Sequence, residues 1–238
     1  MGKYFKTALI LTVLMVVIAI ILSWVYVITK QPIAQSDLQA KLSAIKSVLT
    51  DPQTGKLLIS ESEIPKTLQQ LKEKIWKSSP NGLLYASKKY KGYVLSPAYV
   101  FKAKNGNPVY VLIGYGIGFG GRVVTVAAFE KEKNGFYENA IRVIDYSNET
   151  PGLGAKINDP QVRKRFYSIP NSGFQDVVKV NKDANLYPLP PDYKSKLNYY
   201  KSKGIVVTSD VMTGATITPR AVVSTLNTMY AFLEKEAR

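Results

Sequence analysis

The chain opens with a run that has no polar face. From Thr7 to Thr29 no side chain is charged, and Leu, Ile, Val and Ala dominate. As a helix this run reaches about 34 Å, enough to cross a hydrocarbon layer about 30 Å thick. After it the pattern changes to amphipathic. Ser36 is placed to cap a helix in which Leu38, Leu42, Ile45 and Leu49 share a face, and Asp51-Pro-Gln-Thr-Gly55 ends it. A second amphipathic helix is predicted from Glu63 to Lys77, with Leu68, Leu71 and Ile75 inward. From about Leu83 the apolar period shortens to that of strands. Tyr93–Leu95, Ala98–Lys104, Pro108–Tyr115, Arg122–Lys131 and Phe136–Asp145 form a predicted meander, with turn signals at Asn105-Gly106 and Asn134-Gly135. Asp159-Pro160 reads as a helix start. The last helix is predicted to begin with Thr218 as cap and Pro219 after it, with Val222, Leu226, Met229 and Leu233 along one face. Strands flanked by helices give an α+β domain with an antiparallel sheet. The expected organisation is an anchor over 1–30, a helical linker or subdomain over 31–80 and the main domain over 81–238.

Trp24 and Tyr26 sit at the end of the apolar run, where amphipathic rings favour an interface. Lys3 and Lys6 precede the run and only Lys30 follows closely, so the positive-inside rule places the N-terminus in the cytoplasm and the rest outside. A cleaved signal peptide would have a shorter apolar core and small residues at its end; Ser-Trp-Val-Tyr-Val is a poor cleavage context, which favours an uncleaved anchor. Membrane lipid is then one expected partner.

Composition removes several chemistries. There is no Cys and no His, which excludes disulfides, thiolate-held clusters, thiol nucleophiles, the usual haem ligand and a Ser-His-Asp hydrolase. No metal site and no catalytic residue of the protein's own are expected, so any redox chemistry must come from an organic cofactor. The net charge of +15 is spread along the chain without a nucleic-acid-binding motif, and reads as a Lys-rich solvated face.

Three glycine-bearing segments remain. Gly114-Tyr-Gly-Ile-Gly-Phe-Gly-Gly121 is followed by a strand, not a helix, so a dinucleotide-binding reading fails and a hairpin or bulge is preferred. Glu149-Thr-Pro-Gly-Leu-Gly154 follows a strand and can present backbone N–H groups to a carbonyl or anion; a plain turn is equally open. Asp210-Val-Met-Thr-Gly-Ala-Thr216 lies between the strand-like Gly204–Thr208 and the final helix. That order makes a phosphate seat with a hydroxyl at Thr216, although a helix-capping turn is the commoner use of such a segment.

Taken together, the last two segments resemble a known pair. Asp210–Thr216 resembles the D-x-x-[ST]-G-A-T signature of proteins that carry FMN through phosphate on threonine, and Glu149–Gly154 resembles the E-T-P-G-L-G loop that accompanies it. Behind one N-terminal span, the pair is similar to the RnfG and NqrC subunits of ion-translocating redox complexes, with RnfG favoured by the Ala155-Lys156-Ile157 continuation. The resemblance implies an FMN-binding domain over 81–238 on the outer face of the cell or inner membrane, with a covalent phosphodiester at Thr216. It implies that a flavin transferase reads Asp210, Thr213, Gly214, Ala215 and Thr216. It also implies that Glu149, Thr150, Gly152, Leu153 and Gly154 lie beside the flavin ring with Thr213, Gly214 and Ala215, and that Lys156 is a further contact. The implied partners are the other subunits of a multi-subunit membrane complex. In an Rnf complex these couple ferredoxin oxidation and NAD+ reduction to Na+ or H+ movement; in an Nqr complex the acceptor is quinone. Where relatives often have His two residues before the loop Glu, this chain has Ser147. A stand-alone flavinylated carrier, an anchored anion-binding module and a basic membrane-surface protein are the alternatives.

Overall fold

The computed structural model describes residues 2–237. Helix α1 (Gly2–Val48) begins the chain; its most apolar stretch has mean hydropathy 3.0 and is long enough to cross a membrane. Within it the hydroxyls of Thr12 and Thr29 donate to the carbonyls of Ala8 and Val25, so both are paired within the helix. The chain divides into two compact units, with the boundary between Lys41 and Leu42. The expected helix start at Ser36 does not occur: α1 runs through Ser36 and past Pro32 without interruption, so Ser36 lies inside the helix, where a cap has no orphaned N–H groups to satisfy. The predicted stop is present. Asp51 Oδ1 accepts from the N–H of Gln53 at 2.8 Å, Oδ2 accepts from the Thr54 hydroxyl, and Gly55 adopts a left-handed φ of +69°.

The second predicted helix is much shorter. Only α2 (Leu68–Glu73) forms, capped by Thr67, whose side chain accepts from the Gln70 N–H; Ile75 has passed into strand β1 (Ile75–Lys77). Leu71 is buried, whereas Leu68 and Ile75 are exposed, so the apolar triplet does not mark one buried helical face. Pro65 and the strand pairing of Ile75 with Tyr99 limit the helix at its two ends. The meander is longer than its sequence pattern. Strands β2 (Leu83–Ser87), β3 (Gly92–Lys102), β4 (Pro108–Ile117), β5 (Arg122–Glu132) and β6 (Gly135–Asp145) pair antiparallel in the order β3-β4-β5-β6, and β1 and β2 both pair with β3. The two separate strands predicted over 93–104 are one strand with an irregularity between Leu95 and Tyr99, at Ser96-Pro97.

Short helices α3 (Pro160–Arg163) and α4 (Asn171–Gln175) follow, then β7 (Lys179–Val180), α5 (Leu197–Ser202), β8 (Ile205–Val206), which pairs parallel with β7, and finally α6 (Ile217–Glu236). Asp159 and Pro160 begin α3 as expected. The last helix starts earlier than expected: Thr216 occupies the cap position and Thr218 lies inside the first turn, buried.

Helix α6 lies across the sheet. Val222, Leu226, Met229 and Leu233 are all fully buried in one cluster with Val94, Leu112, Ala127 and Phe129. Alternation along β4 sends Val109, Val111 and Ile113 to the other face, where Ile45, Leu49 and Ile59 are also buried. The Asn139 amide donates to the Val48 and Thr50 carbonyls and fastens the end of α1 to β6. The helix approaches the sheet closely because strand positions beneath it lack side chains. A Cβ on Gly116 would strike the Ala221 backbone, one on Gly92 the Ser224 carbonyl, and one on Gly114 the Met229 side chain.

One charged group is buried in this fold without a role in the site. Glu138 of β6 is fully buried; its Oε2 accepts from the Ile169 N–H at 3.3 Å, while Oε1 has no partner among the described residues. Desolvation pushes its carboxyl well above the ordinary range, and also lowers the buried ammonium of Lys201.

Two outcomes follow from this packing. Gly116→Ala should destabilise the domain by about 1–3 kcal/mol in urea unfolding, since the obstruction is helix backbone that cannot turn aside. For Glu138 the unfolded carboxyl ionises first as pH rises, so stability falls from the ordinary Glu range upward through the raised folded value. Glu138→Gln should flatten that decline, which begins in the ordinary Glu range and continues upward, read as the urea midpoint against pH.

Candidate functional site

Three segments meet at the start of α6. The β4–β5 connection is a tight hairpin in which Gly118 N–H donates to the Gly121 carbonyl at 2.7 Å, and it carries Phe119 at its tip. The hairpin reading of the first glycine segment is therefore correct, and Phe119 is a contributor that the segment's glycines hid. The loop after β6 carries Glu149 to Gly154 and closes on itself, with the Leu153 and Ala155 N–H groups both donating to the Thr150 carbonyl at 3.1 Å. The third segment leaves β8 and turns through Asp210–Ala215 into Thr216.

These segments form a cleft of about 360 Å³ lined by Phe119, Glu149, Thr150, Leu153, Gly154 and the run Gly214–Thr218. Phe119, Leu153, Ala215 and Ile217 make it mostly apolar, and one carboxylate and three hydroxyls supply its polar groups. Such a lining suits a flat, largely apolar ring bearing a few hydrogen-bonding edges, and the volume falls in the ordinary range for organic ligands.

Glu149 organises the cleft. It is only 4% exposed. Its Oε1 accepts from the Gly120 N–H at 3.3 Å, and its Oε2 accepts a short hydrogen bond from the Thr218 hydroxyl. One carboxylate thus ties the hairpin tip to the first turn of α6, at the helix end where negative charge is favoured. The glycines around it are there for room. A Cβ on Gly118 would meet Glu149 Oε1, and one on Gly154 would meet Glu149 Oε2 and the Thr218 hydroxyl. Thr218, read from sequence as a cap, is instead the donor that fixes this carboxylate.

The third segment is held from behind. Asp210 pairs with Arg165 at 2.5 Å and accepts from the Tyr193 hydroxyl at 3.0 Å, and Met212 is buried in the core. Gly214 adopts a φ of +83°, which lets the chain turn outward and present Ala215 and Thr216 to the cleft. Thr216 sits at the cap of α6 with its hydroxyl free of the usual capping bond; that oxygen accepts from Lys182 Nζ at 3.4 Å.

The structure therefore brings together Glu149, Thr150, Leu153, Gly154, Gly214, Ala215 and Thr216 of the residues expected from sequence. It leaves Gly152 and Thr213 exposed beside the cleft, outside its lining: Gly152 shapes the loop with a φ of +74°, and Thr213 donates to the Ser209 carbonyl. Asp210 lies behind the loop. Lys156 is exposed and outside the lining, whereas Lys182 reaches Thr216. Ser147 donates to Asp145 within its own turn and does not line the cleft. Lys182, Thr218 and Phe119 carry no local motif. Only the helix register could have pointed to Thr218, which falls two residues beyond Thr216 on the first turn.

Glu149→Gln keeps the shape of the side chain but directs an amide N–H₂ toward one of its two donors. It should cost about 1–3 kcal/mol in urea unfolding and speed hydrogen exchange at the Gly120 amide, with Thr218→Val producing a smaller loss.

A family model described as the FMN-binding domain matches residues 118–231, a span that contains the hairpin tip, the Glu149 loop and Thr216. No curated protein matches the sequence significantly. Among solved structures, a Thermotoga maritima protein assigned as the RnfG subunit of an electron transport complex is 39% identical, with a TM-score of 0.63 over 84% of this chain and 99% of that one. With identity at that level over nearly all of the relative, and with the matched domain enclosing the cleft, the chain belongs to the RnfG/NqrC family of FMN-binding subunits.

Proposed function

We propose that this chain is the electron-transfer subunit of an Rnf-type membrane complex and carries FMN through a phosphodiester to Thr216. The observation that supports this reading best is the position of the Thr216 hydroxyl: at the positive end of a twenty-residue helix, on the rim of an apolar cleft, within reach of an ammonium. Phe119 and Leu153 line the same cleft as Thr216 and would supply apolar walls for a ring held there. Bound FMN supplies one- and two-electron redox chemistry that a chain without Cys or His cannot supply itself. The protein's own residues hold and shield the ring. Phe119, Leu153 and Ile217 exclude water from it, Glu149 sets the spacing of the walls, and Gly154 keeps the floor open.

In this reading residues 1–30 are the anchor, 31–80 the connection and 81–238 the cofactor domain. The N-terminus is cytoplasmic and the cofactor domain lies on the opposite side. The remaining subunits of the complex supply the donor, the acceptor and the Na+ or H+ path, since a single span with no charged residue between Thr7 and Thr29 is a poor ion route. The T. maritima relative favours an Rnf-type complex over an Nqr-type one. A flavin transferase would deliver the cofactor.

When the chain is co-produced with an active flavin transferase and denatured, its gel band should fluoresce as flavin. Thr216→Val should abolish the fluorescence and Thr216→Ser should keep it. A dark wild-type band beside a fluorescent control substrate would count against the covalent attachment and leave a non-covalent FMN site.

A further inference from the structure

Three consecutive residues, Asn181, Lys182 and Asp183, leave β7 alongside the loop that ends in Thr216, and the outer two are tethered to that loop and its helix. Asn181 is fully buried. Its Oδ1 accepts from the Thr208 and Ser209 N–H groups at 3.0 and 3.3 Å, and its Nδ2 donates to the Ser209 hydroxyl and the Leu186 carbonyl. Asp183 pairs with Arg220 in the first turn of α6, with Arg220 Nε donating to Oδ2 at 2.8 Å. These contacts fix the two residues that flank Lys182 and so the place from which its side chain departs. Lys182 Nζ lies 5.0 Å from the centre of the Tyr187 ring and donates to Thr216 Oγ1 at 3.4 Å.

Among the described residues no carboxylate pairs with Lys182, although its neighbour Asp183 is committed to Arg220. A neutral hydroxyl is a weak partner for a full positive charge that lies otherwise against a ring. A phosphate ester of the same hydroxyl would place negatively charged oxygens two bonds from Oγ1, the atom that Lys182 already reaches, and a charge-assisted hydrogen bond to one of them would replace the weak one.

We propose that Lys182 is the phosphate-binding residue of the flavin linkage, acting both while the linkage forms and after it has formed. The inference rests on the reading of Thr216 as the attachment point. In the transfer, Thr216 Oγ bonds to the flavin-side phosphorus of FAD, the pyrophosphate P–O bond breaks, AMP leaves with the bonding electrons, and the hydroxyl proton passes to a base of the transferase. Lys182 balances charge on the phosphate oxygens during that exchange and then pairs with the single negative charge of the diester. The N–H groups at the start of α6 face the same position and add to the field.

The test uses the whole chain, with purified flavin transferase and FAD, and reads the initial rate of covalent flavin incorporation by in-gel fluorescence. Lys182→Met should slow incorporation about tenfold or more, Lys182→Arg should restore most of it, and Lys179→Met, at an exposed lysine on β7, should match wild type. Thermal unfolding of each variant separates a folding defect from a rate effect. A second measurement needs no variant that removes the charge: the Lys182 Cε–Hε NMR resonance of the wild-type chain should move between the unloaded and loaded forms. Wild-type rates for Lys182→Met, or a Lys182 resonance that loading leaves in place, would overturn the assignment. A wild-type chain that never becomes fluorescent beside a working control substrate would instead overturn the attachment at Thr216, so the two failures are distinguishable.

Discussion

The helix that begins at Thr216 can lie close against the sheet because Gly92, Gly114 and Gly116 offer no side chain beneath it. Most of the site's geometry follows from that contact. With α6 seated there, its first turn arrives beside the β4–β5 hairpin and the loop after β6, segments that belong to the same meander but are separated along the chain. The fully buried face of Val222, Leu226, Met229 and Leu233 keeps the helix in register, so the height of Thr216 above the sheet is set by core packing. A loop-borne hydroxyl would lack that constraint.

The polar interactions then finish what packing begins. A single buried carboxylate, Glu149, joins the hairpin tip to the helix start through two donors from different elements. Buried carboxylates are costly unless their acceptor capacity is used, so this one is stable only while all three segments are in place. The cleft is in that sense conditional on the assembled fold. Asp210 does the corresponding work on the far side of the loop, where Arg165 and Tyr193 hold it. The motif that resembles a flavin-attachment signature is thus clamped at its acid end and turned at Gly214, whose φ is +83°, with Thr216 at the lining of the cleft.

The parts of this arrangement that sequence reveals are those with local causes. The apolar run of α1, the Asp51 turn, the antiparallel meander with its two Asn-Gly hairpins and the buried face of α6 each follow from periodicity or turn chemistry. The Glu149 loop and the Thr216 segment were recognisable from their residues in order. What sequence did not disclose depends on long-range contact. The Glu63–Lys77 pattern looked helical, but Ile75 gains more by pairing with Tyr99 than by extending a helix. Ser36 resembles a cap only to a reader who assumes that a helix starts there. Thr218 has the local look of a cap because Pro follows it, yet its hydroxyl is committed to Glu149, 69 positions away. Lys182 had no motif at all; its importance arises from Asn181 and Asp183, whose partners lie on another strand and another helix. Lys156, nearer in sequence to the loop, is exposed and outside the cleft lining.

The central claim is that flavin is bonded to Thr216 in the chain as the cell makes it. Trypsin should release Gly204–Arg220 as one peptide, since no Lys or Arg interrupts it. Mass spectrometry of that peptide, from protein purified out of its native membrane, should find it heavier by FMN less one water, with fragmentation placing the addition on Thr216. Recovery of the same peptide unmodified from a sample that contains flavin, or with the addition on another residue, would contradict the account.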